Sequence, residues 1–271
     1  DDARRDGFDE SQLVPSTRED VDDLWSRLNA VYLGGGVQRP ALRRLGEETL
    51  AAVEKDLRDH PAAKSIHHAY RGGLLEHTVS MAELALRVCE HYPRIDRDLV
   101  LLGVLFHDLG KLRELGAMPA NDYTLEGRLI GHVVIGRDLL RERCAAIDGF
   151  PDDLRLKLEH LVLSHQGRLE FGSPVVPMTP EAFVLHSIDD LDSKLAQLEQ
   201  AGRSGEELPW IRALGRYVHL GVALGETPTE SPEAPAPSEA PEPEEPEADS
   251  EPESAAEPSL PLLDPGPSSR Q

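Results

Sequence analysis

Six side chains in this sequence have the chemistry to hold metal: His77, His107, Asp108, His132, His165 and Asp189. They arrive in order as "EHT", "HDLGK", "GH", "SH" and "DDLD", one group per apolar segment. Imidazoles and carboxylates without thiolates suit Mn²⁺, Fe²⁺, Co²⁺ or Zn²⁺ better than an oxygen-only calcium site. A carboxylate can bridge two ions, which a lone imidazole cannot. The expectation is therefore a pair of divalent ions ~3.5–4 Å apart that clamps a phosphodiester for in-line attack. Manganese is the first choice; Fe, Co, Zn or Mg would also serve. Lys111 lies four residues after His107 and three after Asp108, on the same face of a helix. A lysine beside a dication is repelled unless an anion joins them, which points to a phosphate oxygen. Asp108 and Lys111 are thus the expected catalytic pair.

The remaining histidines divide by setting. His60, His91 and His219 read as core or surface residues. His160, five residues before His165, does not share its helical face and has at most a supporting role. His67 and His68 sit just before "GGLLEHT", and His68 is assigned to substrate. Lys64, Arg71, Arg113, Arg128 and Arg168 could contact a phosphate backbone. Arg71 and Arg128 lead them, because each lies within seven residues of an expected ligand.

These side chains need a scaffold, and from residue 16 to 222 the apolar spacing is helical throughout. Ser16 and Glu19 have capping-box spacing ahead of "VDDLWSRLNAVYL", and the glycines at 34–36 end that segment. Further helices are expected from Pro40 to Asp59, over "GGLLEHTVSMAELALRVCEHY", and over "DRDLVLLGVLFHDLG". The last of these is the most apolar and is expected at the centre. "EGRLIGHVVIGRDLLRERCAAI", "PDDLRLKLEHLVLSH", "PEAFVLHSIDDLDSKLAQLEQ" and "LPWIRALGRYVHLGVAL" complete the set. No strand alternation of any length and no repeat are seen. The fold class is all-α, a helical bundle whose core helices each give one or two ligands.

The chain has 271 residues and a net charge of −22. Of its 50 acidic residues, 13 lie from Glu226 onward against a single arginine, so the end of the chain carries −12 of that total. Twelve of the 22 prolines follow residue 227. Such a segment buries too little apolar surface to offset chain entropy, so residues 223–271 are expected to be a disordered acidic tail. Its partner is unknown. No apolar run approaches the ~20 residues that span a bilayer, and there is no signal peptide. Two cysteines without metal-type spacing suggest a reducing cytoplasm. An acidic total argues against general coating of nucleic acid, though not against a local basic cleft. The opening "DDARRDGFDE" has no initiator Met and reads as part of something longer.

The string "EHT…HDLGK…H…H…D" resembles the HD superfamily of metal-dependent phosphohydrolases. The surrounding text is closest to the HD-domain 3′→5′ exoribonucleases, which carry an OB-fold nucleic-acid domain ahead of the HD domain. The matching stretches are "AAKSIHHAYRGGLLEHTVSMAELA", "HYPRIDRDLVLLGVLFHDLGKLREL", "YTLEGRLIGHVVIG", "HLVLSHQGRLEFGSPVVPMTPEAFVLHSIDDLDSKL" and "RALGRYV". They cover roughly residues 12–222. The resemblance implies metal ligands at His77, His107, Asp108, His132, His165 and Asp189, and a phosphate contact at Lys111. It implies a metal-activated hydroxide that cleaves single-stranded RNA or DNA from the 3′ end into nucleoside 5′-monophosphates.

Two departures stand out. The family commonly has a second His after the one at 165, where this chain has Gln166, a weaker ligand. No OB domain is visible; "FDESQLVPSTREDVDDLW" looks like the segment that follows one. The expected organisation is a linker at 1–15, a helical segment at 16–60, an HD domain at 61–222 and the tail at 223–271, with a homo-oligomer compatible with such a bundle. Two other readings stay open: a phosphohydrolase of small nucleotides or cyclic dinucleotides, and a non-catalytic nucleotide- or nucleic-acid-binding module. The cyclic-dinucleotide variant is disfavoured, because "QGRLEFGSP" lacks the Gly-Tyr-Pro signature of that class.

Overall fold

The computed structural model describes residues 16–64, 70–116 and 121–221. The chain divides after Leu224, and everything described belongs to the first part. The expected linker at 1–15, the pair His67–His68 and the acidic tail lie outside the described residues.

Helix α1 (Val21–Val31) opens on Asp20, whose carboxylate accepts the N–H groups of Asp22 and Asp23. The cap is therefore Asp20 rather than Ser16. Ser16 instead pairs with Arg71 in an isolated bridge. An acidic cap complements the helix dipole as a serine cannot. The chain then turns through Tyr32–Gly36, and the Tyr32 hydroxyl donates to the Leu101 carbonyl at 2.6 Å. Helix α2 (Pro40–Asp59) starts with proline at its first position, where a missing N–H costs nothing. The Asp98 carboxylate accepts the Gln38 and Arg39 N–H groups just ahead of it, at 3.1 and 2.7 Å.

Helices α3 (Gly73–His91) and α4 (Arg97–Phe106) form the centre. Every residue of α4 from Asp98 to Phe106 is buried, and α4 packs on α3 and on the two later helices α8 (Asp152–Ser164) and α9 (Pro180–Gly202). Such all-round burial is what an apolar run bounded by polar ends gives in a bundle core. The central position expected for this segment is the one it occupies.

Two expected helices differ. "EGRLIGHVVIGRDLLRERCAAI" is two helices, α6 (Leu125–Ile130) and α7 (His132–Ala145), broken at Gly131. Gly131 has φ +79, which a residue without Cβ adopts readily. The break places His132 at the first position of α7, where its N–H is exposed to the short helix α5 (Lys111–Glu114). "LPWIRALGRYVHLGVAL" is a small antiparallel hairpin, β1 (Trp210–Ile211) and β2 (Arg216–Tyr217). Only five residues separate Pro209 from Gly215, too few to offset helix nucleation. The chain remains an all-α fold around one hydrophobic core. Among the described residues no helix is long and apolar enough to cross a membrane.

Candidate metal centre

Where α4 stops, the chain continues through His107, Asp108, Leu109 and Gly110 as a tight turn before α5. That turn runs under the start of α7. A Cβ on Gly110 would lie 1.9 Å from the His132 carbonyl oxygen, so only glycine allows this approach. The glycine of "HDLGK" thus brings the His107–Asp108 corner against the helix that carries His132.

Six side chains meet there. The Nε2 atoms of His77 (α3) and His107 are 3.3 Å apart. His77 Nε2 lies 3.4 Å from Asp189 Oδ1 (α9), and His107 Nε2 lies 3.3 Å from Asp108 Oδ2. On the other side, Asp108 Oδ1 faces His132 Nε2 at 3.6 Å and His165 Nε2 at 3.9 Å. The two oxygens of one carboxylate therefore look into two separate groups: His77–His107–Asp108 and Asp108–His132–His165. One ion with ligands ~2.1 Å away separates neighbouring donors by roughly 3.0–3.4 Å. The spacings in the first group are of that size or slightly larger.

The four imidazoles are held in one tautomer. Each Nδ1 faces an acceptor: Asp192 at 2.7 Å for His77, the Val104 carbonyl at 2.8 Å for His107, Glu114 at 3.1 Å for His132, and the Val162 carbonyl at 2.7 Å for His165. A carbonyl or carboxylate can only accept, so each Nδ1 carries a proton and each Nε2 is the atom turned inward, able to bind an ion once it carries no proton. Metal-binding histidines are oriented in this way. Two inward nitrogens 3.3 Å apart need a proton or a cation between them, and imidazoles clustered with carboxylates are a donor set that fits a divalent ion.

Glu114 and Asp192 were not singled out in the sequence. The Glu114 carboxylate accepts from both the backbone N–H of His132, at 3.0 Å, and its Nδ1. Asp192 also accepts the Ser80 hydroxyl. Their signals were faint but present: Glu114 is three residues after Lys111, and Asp192 is three after Asp189, one turn along the same face. His186 was also passed over. Its Nδ1 donates to the His165 carbonyl at 2.9 Å, and its ring fills the space beside Gly167. His60, read as structural, donates from Nε2 to the Lys111 carbonyl at 2.9 Å.

The electrostatics favour positive charge. Burial would raise the Asp108 carboxyl, but the Lys111 ammonium and His107 hold it well below the usual carboxylate range. Lys111 Nζ is 2.6 Å from Asp108 Oδ2. Burial would lower the lysine, yet Asp108 raises it. Burial also disfavours a charged His77, but Asp189 and Asp192 raise it to about 10. His165 goes the other way: burial, with His107 nearby, lowers it to about 4. Glu114, against burial, is lowered by its hydrogen bond with His132.

The centre opens into a cleft of about 340 Å³, whose walls include Lys64, Tyr123, Gln166, Phe171 and His186. Gln166 occupies the position where a second histidine was expected, and its amide Nε2 lies 3.3 Å from His132 Nε2 and 3.2 Å from His165 Nε2. Arg128 lies over the Tyr123 ring, 5.4 Å from its centroid, and pairs with Asp122. Arg71 is ion-paired with Asp59 at the surface and is not a wall of the cleft. Arg113 pairs with Glu142. His160 accepts the Met178 N–H, away from the centre. His68, assigned to substrate, lies outside the described residues.

The stretch of sequence that builds this site matches a known family model. Residues 74–194 match the model described as HD domain. These residues form an HD domain. His77, the His107–Asp108 turn, His132, His165 and Asp189 all fall inside it. A second model, described as a putative helicase, matches residues 23–93, a stretch with no Gly–Lys step of a phosphate-cradling loop. The chain is 41% identical over 167 residues to the 3′-5′ exoribonuclease YhaM of Bacillus pumilus, covering 61% of this chain and 52% of the relative. It is 40% identical over 167 residues to YhaM of Bacillus subtilis. It is 41% identical over 192 residues to YhaM of a Geobacillus species, covering 70% of this chain and 57% of that relative. The chain thus spans about half the length of the curated relatives it matches. No solved structure matches it.

Proposed function

We propose that this chain is a metal-dependent 3′→5′ exoribonuclease that releases nucleoside 5′-monophosphates from single-stranded RNA. One observation carries the reading: the two oxygens of buried Asp108 face two separate groups of donors. That arrangement serves two ions better than one. The similarity to YhaM supports the choice of substrate. Manganese is the preferred ion on ligand chemistry, and a cytoplasmic location fits such a substrate.

His77, His107, Asp108 and Asp189 would hold one ion, and Asp108, His132 and His165 the other. Such ions supply an activated water and neutralise charge on the phosphoryl oxygens. The protein's own groups do the rest. Asp192, Glu114 and two backbone carbonyls keep each Nδ1 protonated, so no imidazole turns away from the centre. Lys111 balances the buried charge of Asp108. Its ammonium is also close enough to the cleft to meet a phosphoryl oxygen, where charge grows during attack. Lys64 and Tyr123 line the cleft and Arg128 lies over the Tyr123 ring, so both cations would meet the substrate on that side.

The test is direct. With added Mn²⁺, the full chain should shorten a 5′-labelled single-stranded RNA one nucleotide at a time from its 3′ end. Asp108→Asn should abolish this while helicity is retained. If neither the RNA nor bis-p-nitrophenyl phosphate is hydrolysed, a non-catalytic binding module is the better account. If only mononucleotides are hydrolysed, a small-nucleotide phosphohydrolase is.

A further inference from the structure

Beside the metal cleft runs a second groove of about 390 Å³. The two share four walls: Phe171, His186, Asp190 and Ser193. The second groove adds the cations Arg168, Lys194 and Arg216. In a chain of net charge −22 this local excess is informative. Lys194 is tied to Asp190 at 2.5 Å. Neither Arg168 nor Arg216 has an ion pair among the described residues, whereas Lys64 and Arg128, at the other end of the cleft, both pair with Asp122.

Phe171 stands where the two spaces join. It ends the short turn Leu169–Phe171, and 59% of its surface is exposed. The Arg168 guanidinium lies 5.7 Å from its ring centroid. The loop that presents it is firmly held. The hydroxyl of buried Ser173 lies within hydrogen-bond reach of two carbonyls, Val175 at 2.8 Å and Leu163 at 3.0 Å, and His186 packs against Gly167. An exposed phenylalanine on an anchored loop, beside two arginines without an ion pair among the described residues and continuous with a metal cleft, has the makings of a stacking platform for single-stranded nucleic acid.

We infer that the RNA strand enters along this groove, with a base upstream of the scissile bond stacked on Phe171 and its phosphates met by Arg168 and Arg216. This rests on the exoribonuclease reading and adds a direction to it. The strand lies on the α9 side, and the 3′-terminal nucleotide lies toward Tyr123.

The experiment uses the full chain with Mn²⁺ and 5′-labelled 12-nucleotide RNAs that carry one abasic residue at the second, third or fourth position from the 3′ end. For the wild type, one of these positions should raise KM on the order of tenfold, the size of a lost base–aromatic stack. Phe171→Ala should raise KM on intact RNA by a similar factor, with kcat changed less than about twofold. It should add nothing on the RNA abasic at the sensitive position, and Phe171→Trp should restore KM. Arg168→Ala and Arg216→Ala should each reduce the slope of log KM against log salt by about 0.7. Phe171 is exposed, so its truncation opens no core cavity. If the Phe171→Ala and abasic effects multiply, or KM does not move, the platform is refuted while the exoribonuclease reading stands. If the wild type hydrolyses bis-p-nitrophenyl phosphate but shortens no RNA, the exoribonuclease reading itself fails and the strand path falls with it.

Discussion

Asp108 and the groups that brace its neighbours set the chemistry at the scale of single residues. Glu114 binds the backbone and the ring of His132 with one oxygen, which makes it a positioning residue rather than a ligand. Glu114→Gln keeps the shape and one accepting oxygen but removes the negative charge that strengthens both bonds to His132. Mn²⁺ affinity, read by calorimetry, should fall by roughly 10- to 100-fold with the far-ultraviolet circular dichroism unchanged; unchanged affinity would remove Glu114 from the account. His60 provides a pH test away from the ligands. Burial lowers its pKa below the ordinary 6.5, so on acidification the unfolded chain takes the proton first. The stability it contributes is complete above about pH 6.5 and is lost as pH falls through the lowered folded value. The metal-free protein should lose thermal stability between pH 7 and pH 5, and His60→Gln should lose less over that range. An identical decline in both would show that His60 contributes nothing to it.

At the scale of elements, the placement of the centre depends on how helix ends meet. Gly110 lets the turn after α4 pass beneath His132. In Gly110→Ala the new methyl must displace the start of α7, so RNA hydrolysis should drop by at least a hundredfold, about 2.7 kcal/mol of transition-state stabilisation. Full activity in that variant would mean that α7 can shift without harm to the site. Asp98 joins two other elements by accepting the N–H groups ahead of α2. It is buried, and Asp98→Ala leaves those donors unsatisfied. Unfolding in urea should show a loss of about 2–3 kcal/mol, with KM for RNA unchanged. What the sequence could reveal follows the same division. The candidate ligands that the fold brings together were legible because "HDLGK" and its companions are polar groups set in apolar helices, where little else explains them. Glu114 and Asp192 were harder to see, because an acidic residue, whether at the end of a short helix like Glu114 or within a long one like Asp192, looks like any solvated charge until its partner is known. The break at Gly131 was missed because the apolar periodicity continues across it. The hairpin at 210–217 was missed because its apolar spacing also fits one helical turn.

At the scale of the whole molecule, a strongly acidic composition is compatible with the proposed RNA substrate, because charge is unevenly divided along the sequence. Thirteen of the acidic residues lie from Glu226 onward, while Arg168 and Arg216, without an ion pair among the described residues, line the groove beside the candidate metal centre. The fold class was readable because every long apolar segment has a helical period. The tertiary fact that matters most, which oxygen of Asp108 faces which histidines, depends on five elements packing together and has no local signature. That fact is also where the account is most exposed. The full chain should be equilibrated with Mn²⁺, freed of loosely held ion by gel filtration, and its bound metal measured by mass spectrometry against protein concentration. The account predicts close to two ions per chain, falling to one or none in Asp108→Asn. A single ion in the wild type, or an Asp108→Asn variant that retains both, would contradict it.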